Sequence, residues 1–136
     1  LREKGDQTEL TDWLRENCAD LTSELPFLLE MRDALGKQAR FVLDIKQAVR
    51  SGEDPFAMLR GLNSHIVHVH ISDHGEYGDC LPLGKGRVRF DAFLKELAAV
   101  SPDCSVILEL YRSGFSDVAE LAANYTLLRN RIEGKR

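Results

Sequence analysis

The sequence lacks a cysteine framework, a long apolar run and an excess of basic residues. Its three cysteines, Cys18, Cys80 and Cys104, are widely spaced, which excludes a disulfide scaffold and a C-x-x-C metal motif and favours a reducing, cytoplasmic setting. No apolar stretch reaches the roughly 18 residues of a membrane span, so we expect no membrane partner. Lys and Arg number 18 against 22 Asp and Glu, which argues against nucleic acid as a partner. A small-molecule substrate is compatible with these absences.

The sequence does contain an alternation of helical and strand patterns. Helical patterns cover residues 22–36, 52–62, 89–100 and 115–132, and apolar strand patterns cover residues 39–45, 65–72 and 104–111. Residues 73–87 form a long polar loop, and residues 1–21 have a helical pattern without clear bounds. Asp54 and Ser116 are the predicted caps of the second and fourth helices. The order α-β-α-β-α-β-α over residues 22–132 predicts an α/β fold with three parallel strands in one domain, residues 1–136.

Charged and imidazole side chains come at the ends of all three predicted strands. Asp44 ends the first strand, His68 and His70 lie on one face of the second, and Glu109 ends the third. Because the carboxyl ends of parallel strands meet at one edge of a sheet, these side chains can converge on one point. Carboxylates with one imidazole suit a divalent metal ion such as Mg²⁺, Mn²⁺ or Zn²⁺.

Each of these residues also has a structural interpretation. Asp44 can cap the following helix, Glu109 can pair with Lys46 or Arg112, and His68 can be a polar residue bonded inside the fold. Any one of them would be weak evidence for a site. Their placement on consecutive strand ends is stronger evidence, because a charged side chain in an apolar strand costs free energy unless it is paired or bound to metal.

Three stretches carry a family resemblance. "FVLDIKQAVRSGEDPFAML", "HIVHVHISDHGEYGDCLPLGKG" and "VILELYR" resemble, in this order and spacing, the sugar isomerase/epimerase family of xylose isomerase-like TIM barrels, which also includes AP endonucleases of the endonuclease IV type. The resemblance covers roughly residues 22–130. It implies a (β/α)₈ barrel, of which this chain supplies the C-terminal portion.

The resemblance also implies a metal site and a reaction. Asp44, His70 and Glu109 match three metal ligands of the family, and Glu16 in "RENCAD" is the candidate for the fourth. The ion would be Mn²⁺, Mg²⁺, Co²⁺ or Zn²⁺. The implied reaction is isomerisation or epimerisation of a sugar or sugar phosphate by proton transfer through an enediolate, with Glu109 and Glu16 as catalytic residues. The candidates for contact with substrate are Gln47, Lys46, His68, Asp73, Lys85 and Arg112.

Two alternatives to the isomerase interpretation stay open. One is a phosphodiesterase of the AP endonuclease type, against which Gln47 weighs, because many family members have histidine there and an amide is a poor metal ligand. The other is a non-catalytic, truncated barrel that serves as an interaction module. Asp73 has a similar ambiguity: it can bind substrate hydroxyls or bond the backbone of its own loop.

A full barrel of this kind needs about 250 residues, and the chain has 136. We consider three explanations: a fragment of a larger enzyme, a chain seen without its N-terminal half, or a true half-barrel that pairs with a copy of itself. Half a barrel has open sheet edges that can pair with another chain. A complete and stable chain is therefore expected to form a homo-oligomer.

Light scattering of the purified chain tests this last expectation. A self-pairing half-barrel will have at least twice the mass of the 15.3 kDa chain. A strictly monomeric species with a cooperative unfolding transition would contradict it.

Overall fold

The computed structural model describes residues 25–76 and 78–134. Its helices are α1 (Leu25–Leu35), α2 (Ile45–Arg50), α3 (Pro55–Leu62), α4 (Phe90–Val100) and α5 (Val118–Ile132). Its strands are β1 (Phe41–Asp44), β2 (Ile66–Ile71), β3 (Asp73–Gly75), β4 (Gly78–Leu81) and β5 (Ser105–Leu108). The predicted N-terminal helical segment and Glu16 lie outside the described residues.

Three parallel strands form the main sheet, in the order β1-β2-β5. Helices alternate with these strands along the chain, so the α/β prediction is confirmed. The described residues form an open sheet and not a closed barrel, which is consistent with a partial TIM barrel. Within the part of the chain that the structure describes, β1 and β5 are the edge strands of this sheet.

An irregularity in the pairing of β1 and β2 decides which side chains face which way. Phe41 pairs with Ile66 and Val42 pairs with His68, so Val67 is an additional residue in β2. Such a bulge changes the alternation of side chains along the strand. Ile66 consequently packs in the core, whereas His68 and the residues in phase with it face the opposite side.

The core lies between one face of the sheet and the helices. Fully buried apolar side chains come from β1, α2, α3, β2 and α4, namely Leu43, Ile45, Leu59, Leu62, Ile66, Val69, Ile71 and Phe93. Burial of each such side chain contributes about 1.5–3 kcal/mol relative to exposure. This face of the sheet therefore anchors the strands whose ends carry the charged residues.

The opposite face of the sheet is open and carries apolar side chains as well as polar ones. Val42 is 57% exposed and Ile107 is 51% exposed, and both lie in phase with the strand-end carboxylates. In a closed barrel this face would point inward. In the described residues nothing covers it.

One helix and two short strands were absent from the sequence prediction. Helix α2 begins directly after β1, and the segment predicted as a loop contains the antiparallel hairpin β3–β4. Helix α2 has only six residues, too few for a clear helical period. The hairpin strands have three and four residues, and two glycines, Gly75 and Gly78, pair with each other at the turn end, a composition that favours a loop.

Of the two predicted helix caps, one is confirmed and the other is displaced by one residue. Asp54 caps α3, where its side chain accepts a hydrogen bond from the Phe56 amide at 3.0 Å, as predicted. The predicted cap Ser116 is wrong by one residue, because Asp117 caps α5 and accepts a hydrogen bond from the Glu120 amide at 2.9 Å. A carboxylate is also favoured at a helix N-terminus by the positive end of the helix dipole.

Phe93→Ala tests the position of the core. Phe93 is fully buried and packs edge-to-face on Phe56, with ring centroids 5.7 Å apart. We expect a loss of about 3–5 kcal/mol in the free energy of unfolding, measured with urea. Val118→Ala, at a side chain that is 77% exposed, is the control and is expected to change stability by less than about 0.5 kcal/mol. Equal effects of the two substitutions would contradict the assignment of the core.

Candidate metal centre

Asp44, His70 and Glu109 lie together at the carboxyl edge of the parallel sheet. Asp44 pairs with His70 in the strand register, and the Glu109 amide extends the ladder by donating to the Ile71 carbonyl at 3.0 Å. Asp44 Oδ2 is 3.4 Å from His70 Nδ1, and Glu109 Oε2 is 3.6 Å from the same nitrogen. One donor atom from each of the three residues lies within 4.8 Å of the other two. The three can therefore hold one metal ion.

The two oxygens of Asp44 have different partners. Oδ1 accepts a hydrogen bond from the Gln47 amide at 3.0 Å and so caps helix α2. Oδ2 faces His70. The capping role and the role in the cluster, which are alternatives in the sequence, are thus compatible in one carboxylate.

The two oxygens of Glu109 also differ. Oε1 accepts a hydrogen bond from Lys46 Nζ at 3.2 Å. Oε2 is buried and accepts no hydrogen bond from any residue that the structure describes. A buried carboxylate oxygen without a partner is costly, and a cation placed between it, Asp44 and His70 would remove that cost. The donor set, two carboxylates and one imidazole, fits a divalent ion.

Lys46 places a positive charge directly beside this cluster. Its side chain is buried, and its ammonium lies 5.3 Å from the centre of the Tyr111 ring. Burial lowers the pKa of Lys46, but the hydrogen bond to Glu109 and the charges of Asp44 and Glu109 outweigh burial, so the pKa is raised above its ordinary value. Lys46 is therefore charged at neutral pH and partly balances the two carboxylates.

His68 lies beside His70 but does not share a hydrogen bond with it. The two rings meet edge-to-face with centroids 4.9 Å apart, and His68 Nδ1 lies 2.6 Å from the Ser105 hydroxyl oxygen on β5. His68 thus packs against the His70 ring and is itself held by the neighbouring strand. This contact limits the rotation of His70.

Asp73 follows β2 closely in sequence but points into its own loop. Its buried carboxylate accepts hydrogen bonds from the amides of His74, Gly84 and Val88, at 2.8, 2.8 and 3.0 Å. A Cβ on Gly86 would come within 2.5 Å of Asp73 Oδ1. These contacts correspond to the loop-bonding role, one of the two that the sequence left open.

The remaining candidates for substrate contact are dispersed. Gln47 is exposed and, with Asp44 and His70, lines a cleft of about 380 Å³ along the edge of β1. Lys85 is exposed in the turn that follows β4, where its amide donates to the Pro82 carbonyl at 3.1 Å. Arg112 donates to the Phe115 carbonyl at 2.7 Å and stacks on the Phe115 ring, away from the three-residue cluster.

The sequence analysis missed a group of polar residues beside Lys46, formed by Arg50, Asp79 and Tyr111. Arg50 Nε lies 2.5 Å from Asp79 Oδ2, and Arg50 Nη2 donates to the Tyr111 hydroxyl at 2.7 Å. The hydrogen bond from Arg50 lowers the pKa of Asp79. Lys46 and Arg50 are four residues apart on α2 and both contact Tyr111, so their spacing is a signal that becomes visible once α2 is recognised as a helix.

Cys80 supports the backbone of Glu109. Its Sγ donates to the Glu109 carbonyl at 3.1 Å, from a backbone with φ of +54°. Burial raises the pKa of the Cys80 thiol, which keeps it protonated and able to donate. This cysteine is therefore a structural contact for the end of β5 and not a thiolate nucleophile.

The fold and the cluster together define a class: a parallel α/β protein with carboxylates and a histidine at the strand ends, where a divalent ion can bind. Residues 13–131 match the family of xylose isomerase-like TIM barrels, and the chain belongs to that family. A comparison with curated proteins gave no match. Within the described residues, no helix combines the length and the apolar character that crossing a bilayer requires.

Asp44→Asn tests the cluster without removing the helix cap. Asparagine caps helices as well as aspartate does, but its side chain lacks the negative charge that a divalent ion needs. We expect Mn²⁺ affinity, measured by calorimetry, to decrease at least about tenfold, with little change in unfolding. Asp54→Asn, the equivalent change at the cap of α3, is the matched control. Equal Mn²⁺ affinities in both variants would contradict a role for Asp44.

Proposed function

We propose that the chain carries the metal-binding part of an isomerase or epimerase that acts on a sugar or sugar phosphate by proton transfer next to a carbonyl. The observation that supports this most directly is Oε2 of Glu109, which is buried, faces Asp44 and His70, and accepts no hydrogen bond within the described part of the chain. Membership in the xylose isomerase-like family also supports this proposal.

Three side chains would hold the ion through one atom each: Asp44 through Oδ2, His70 through Nδ1 and Glu109 through Oε2. When bound, a divalent ion supplies Lewis acidity, which polarises a carbonyl oxygen and acidifies the neighbouring carbon. Mn²⁺, Mg²⁺, Co²⁺ and Zn²⁺ are all compatible with this donor set. Glu16 is the proposed fourth ligand.

Glu109 is the proposed base. Its Oε1 faces Lys46, and a carboxylate oxygen with one hydrogen bond retains a lone pair that can accept a proton from carbon. Glu16 is the proposed partner that returns the proton, either to the adjacent carbon in an isomerisation or to the opposite face in an epimerisation. The substrate as a whole thus loses one proton from carbon and gains one, and no external oxidant or reductant is needed: in an epimerisation the proton returns to the same carbon, and in an isomerisation the oxidation of one carbon is balanced by the reduction of its neighbour.

The cleft beside Asp44 and His70 is the proposed position of the sugar chain. Gln47 lines this cleft and can bond a hydroxyl group through its amide. His68 lies on the same face of the sheet, and the exposed Lys85 can attract a phosphate from the loop. Asp73 is left out of this set because three backbone amides already bind its carboxylate.

The open face of the sheet supports a further partner. Val42 and Ile107 are exposed in phase with the metal ligands, so whatever covers them also closes the site. We propose that this cover is protein, either more of the barrel or a second copy of the chain in a homo-oligomer.

Proton exchange tests the reaction. The full chain is incubated in D₂O with Mn²⁺ and a panel of ketoses and ketose phosphates, and deuterium at the carbon next to the carbonyl is measured by mass spectrometry. We expect exchange that is abolished by a chelator and reduced at least about a hundredfold in Glu109→Gln.

Glu96→Gln is the control, because Glu96 pairs with Arg60 on the helical side of the fold. Absence of exchange on the whole panel, together with cleavage of DNA at abasic sites, would favour the phosphodiesterase alternative over the isomerase.

A further inference from the structure

Each carboxylate of the candidate metal centre has one oxygen engaged and one oxygen facing the centre. For Asp44 the engaged oxygen is bound by a helix amide, and for Glu109 it is bound by the ammonium of Lys46. A carboxylate can bind a divalent ion through one or both oxygens. The ammonium at Oε1 therefore affects how Glu109 can bind an ion.

We propose that Lys46 is a positioning residue that keeps Oε1 of Glu109 off the metal ion, so that Glu109 binds the ion through Oε2 alone and retains Oε1 for proton transfer. This inference rests on the proposed function, since it assumes that an ion binds at the cluster. In this proposal Lys46, which the sequence analysis considered for substrate contact, acts by orienting Glu109 instead.

The position of Lys46 is well determined by its surroundings. Lys46 is 8% exposed, and its ammonium contacts the Glu109 carboxylate on one side and the Tyr111 ring on another. Arg50, one turn later on α2, bonds the Tyr111 hydroxyl and so holds the ring in place. The ammonium therefore has little freedom to leave Oε1.

Helix α2 couples Lys46 to the rest of the centre. The helix begins directly after Asp44, which caps it, and Lys46 is its second residue. The same carboxylate that faces His70 thus determines where the helix starts and where the ammonium lies. One short helix thus joins a proposed metal ligand, Asp44, to the positioning residue.

Under this proposal, removal of the Lys46 charge has opposite effects on metal affinity and on the rate of proton transfer. Without the ammonium, both oxygens of Glu109 can bind the ion and a repelling positive charge is gone, so metal binding becomes tighter. Proton transfer becomes slower, because Oε1 is occupied by the ion. A lysine that merely supported the fold would, on removal, loosen Glu109 and weaken metal binding.

Titration of the full chain with Co²⁺ alone distinguishes these outcomes, followed by calorimetry and by visible absorption of the bound ion. We expect Lys46→Met to bind Co²⁺ at least roughly tenfold more tightly than the unmodified chain, with a changed absorption band that reports the additional oxygen ligand. Lys46→Arg keeps the charge and a donor for Glu109 and is expected to keep the original affinity and band. Lys95→Met removes an equal charge from an exposed position on α4 and serves as the matched control.

The results separate the two proposals. Weaker or unchanged Co²⁺ binding in Lys46→Met, with normal binding in the unmodified chain, overturns the role of Lys46 and leaves the proposed function intact. Absence of Co²⁺ binding in the unmodified chain overturns the metal centre itself. If circular dichroism shows that Lys46→Met does not fold, Lys46→Gln, which is neutral but polar, is measured in its place with the same expectation.

Discussion

The parallel pairing of β1, β2 and β5 is the constraint on which the rest of the structure depends. Parallel strands place their carboxyl ends at one edge of the sheet, and the register pairs Asp44 with His70. The Glu109 amide continues the ladder of β5 onto β2. Three residues that are 26 and 39 positions apart in sequence thereby become neighbours, and the buried core on the opposite face holds them in that register.

Charge balance is the second organising feature. It distinguishes two aspartates, one at the end of β1 and one just after β2, by the number of hydrogen bonds that each carboxylate accepts. Asp73 is saturated by backbone amides and organises a loop, whereas Asp44 keeps one oxygen for the centre. Two carboxylates so close together would repel each other without compensation. The amide at the start of α2 and the ammonium of Lys46 supply part of that compensation, and among residues 25–76 and 78–134 none donates a hydrogen bond to Oε2 of Glu109.

Much of the fold could be predicted from the sequence, because apolar periodicity and β-branched runs indicate helices and strands directly. The cap at Asp54 and the end of α1 before Gly36, whose φ is +60°, follow from local chemistry in the same way. Helix α2 could not be predicted, since six residues are too few for a period to emerge. The contacts of Arg50 with Asp79 and Tyr111 were missed for the same reason, because they depend on that helix.

The sequence by itself determined the order of the elements and the residue types at the strand ends, since both depend on neighbours within a few positions. It also determined the family resemblance, which the match over residues 13–131 confirmed. Only the tertiary structure decided which oxygens face the centre and which are engaged. The reason is that the partners of Glu109 and Asp73 lie up to 63 residues away, so hydrogen-bond saturation depends on how the chain folds back on itself.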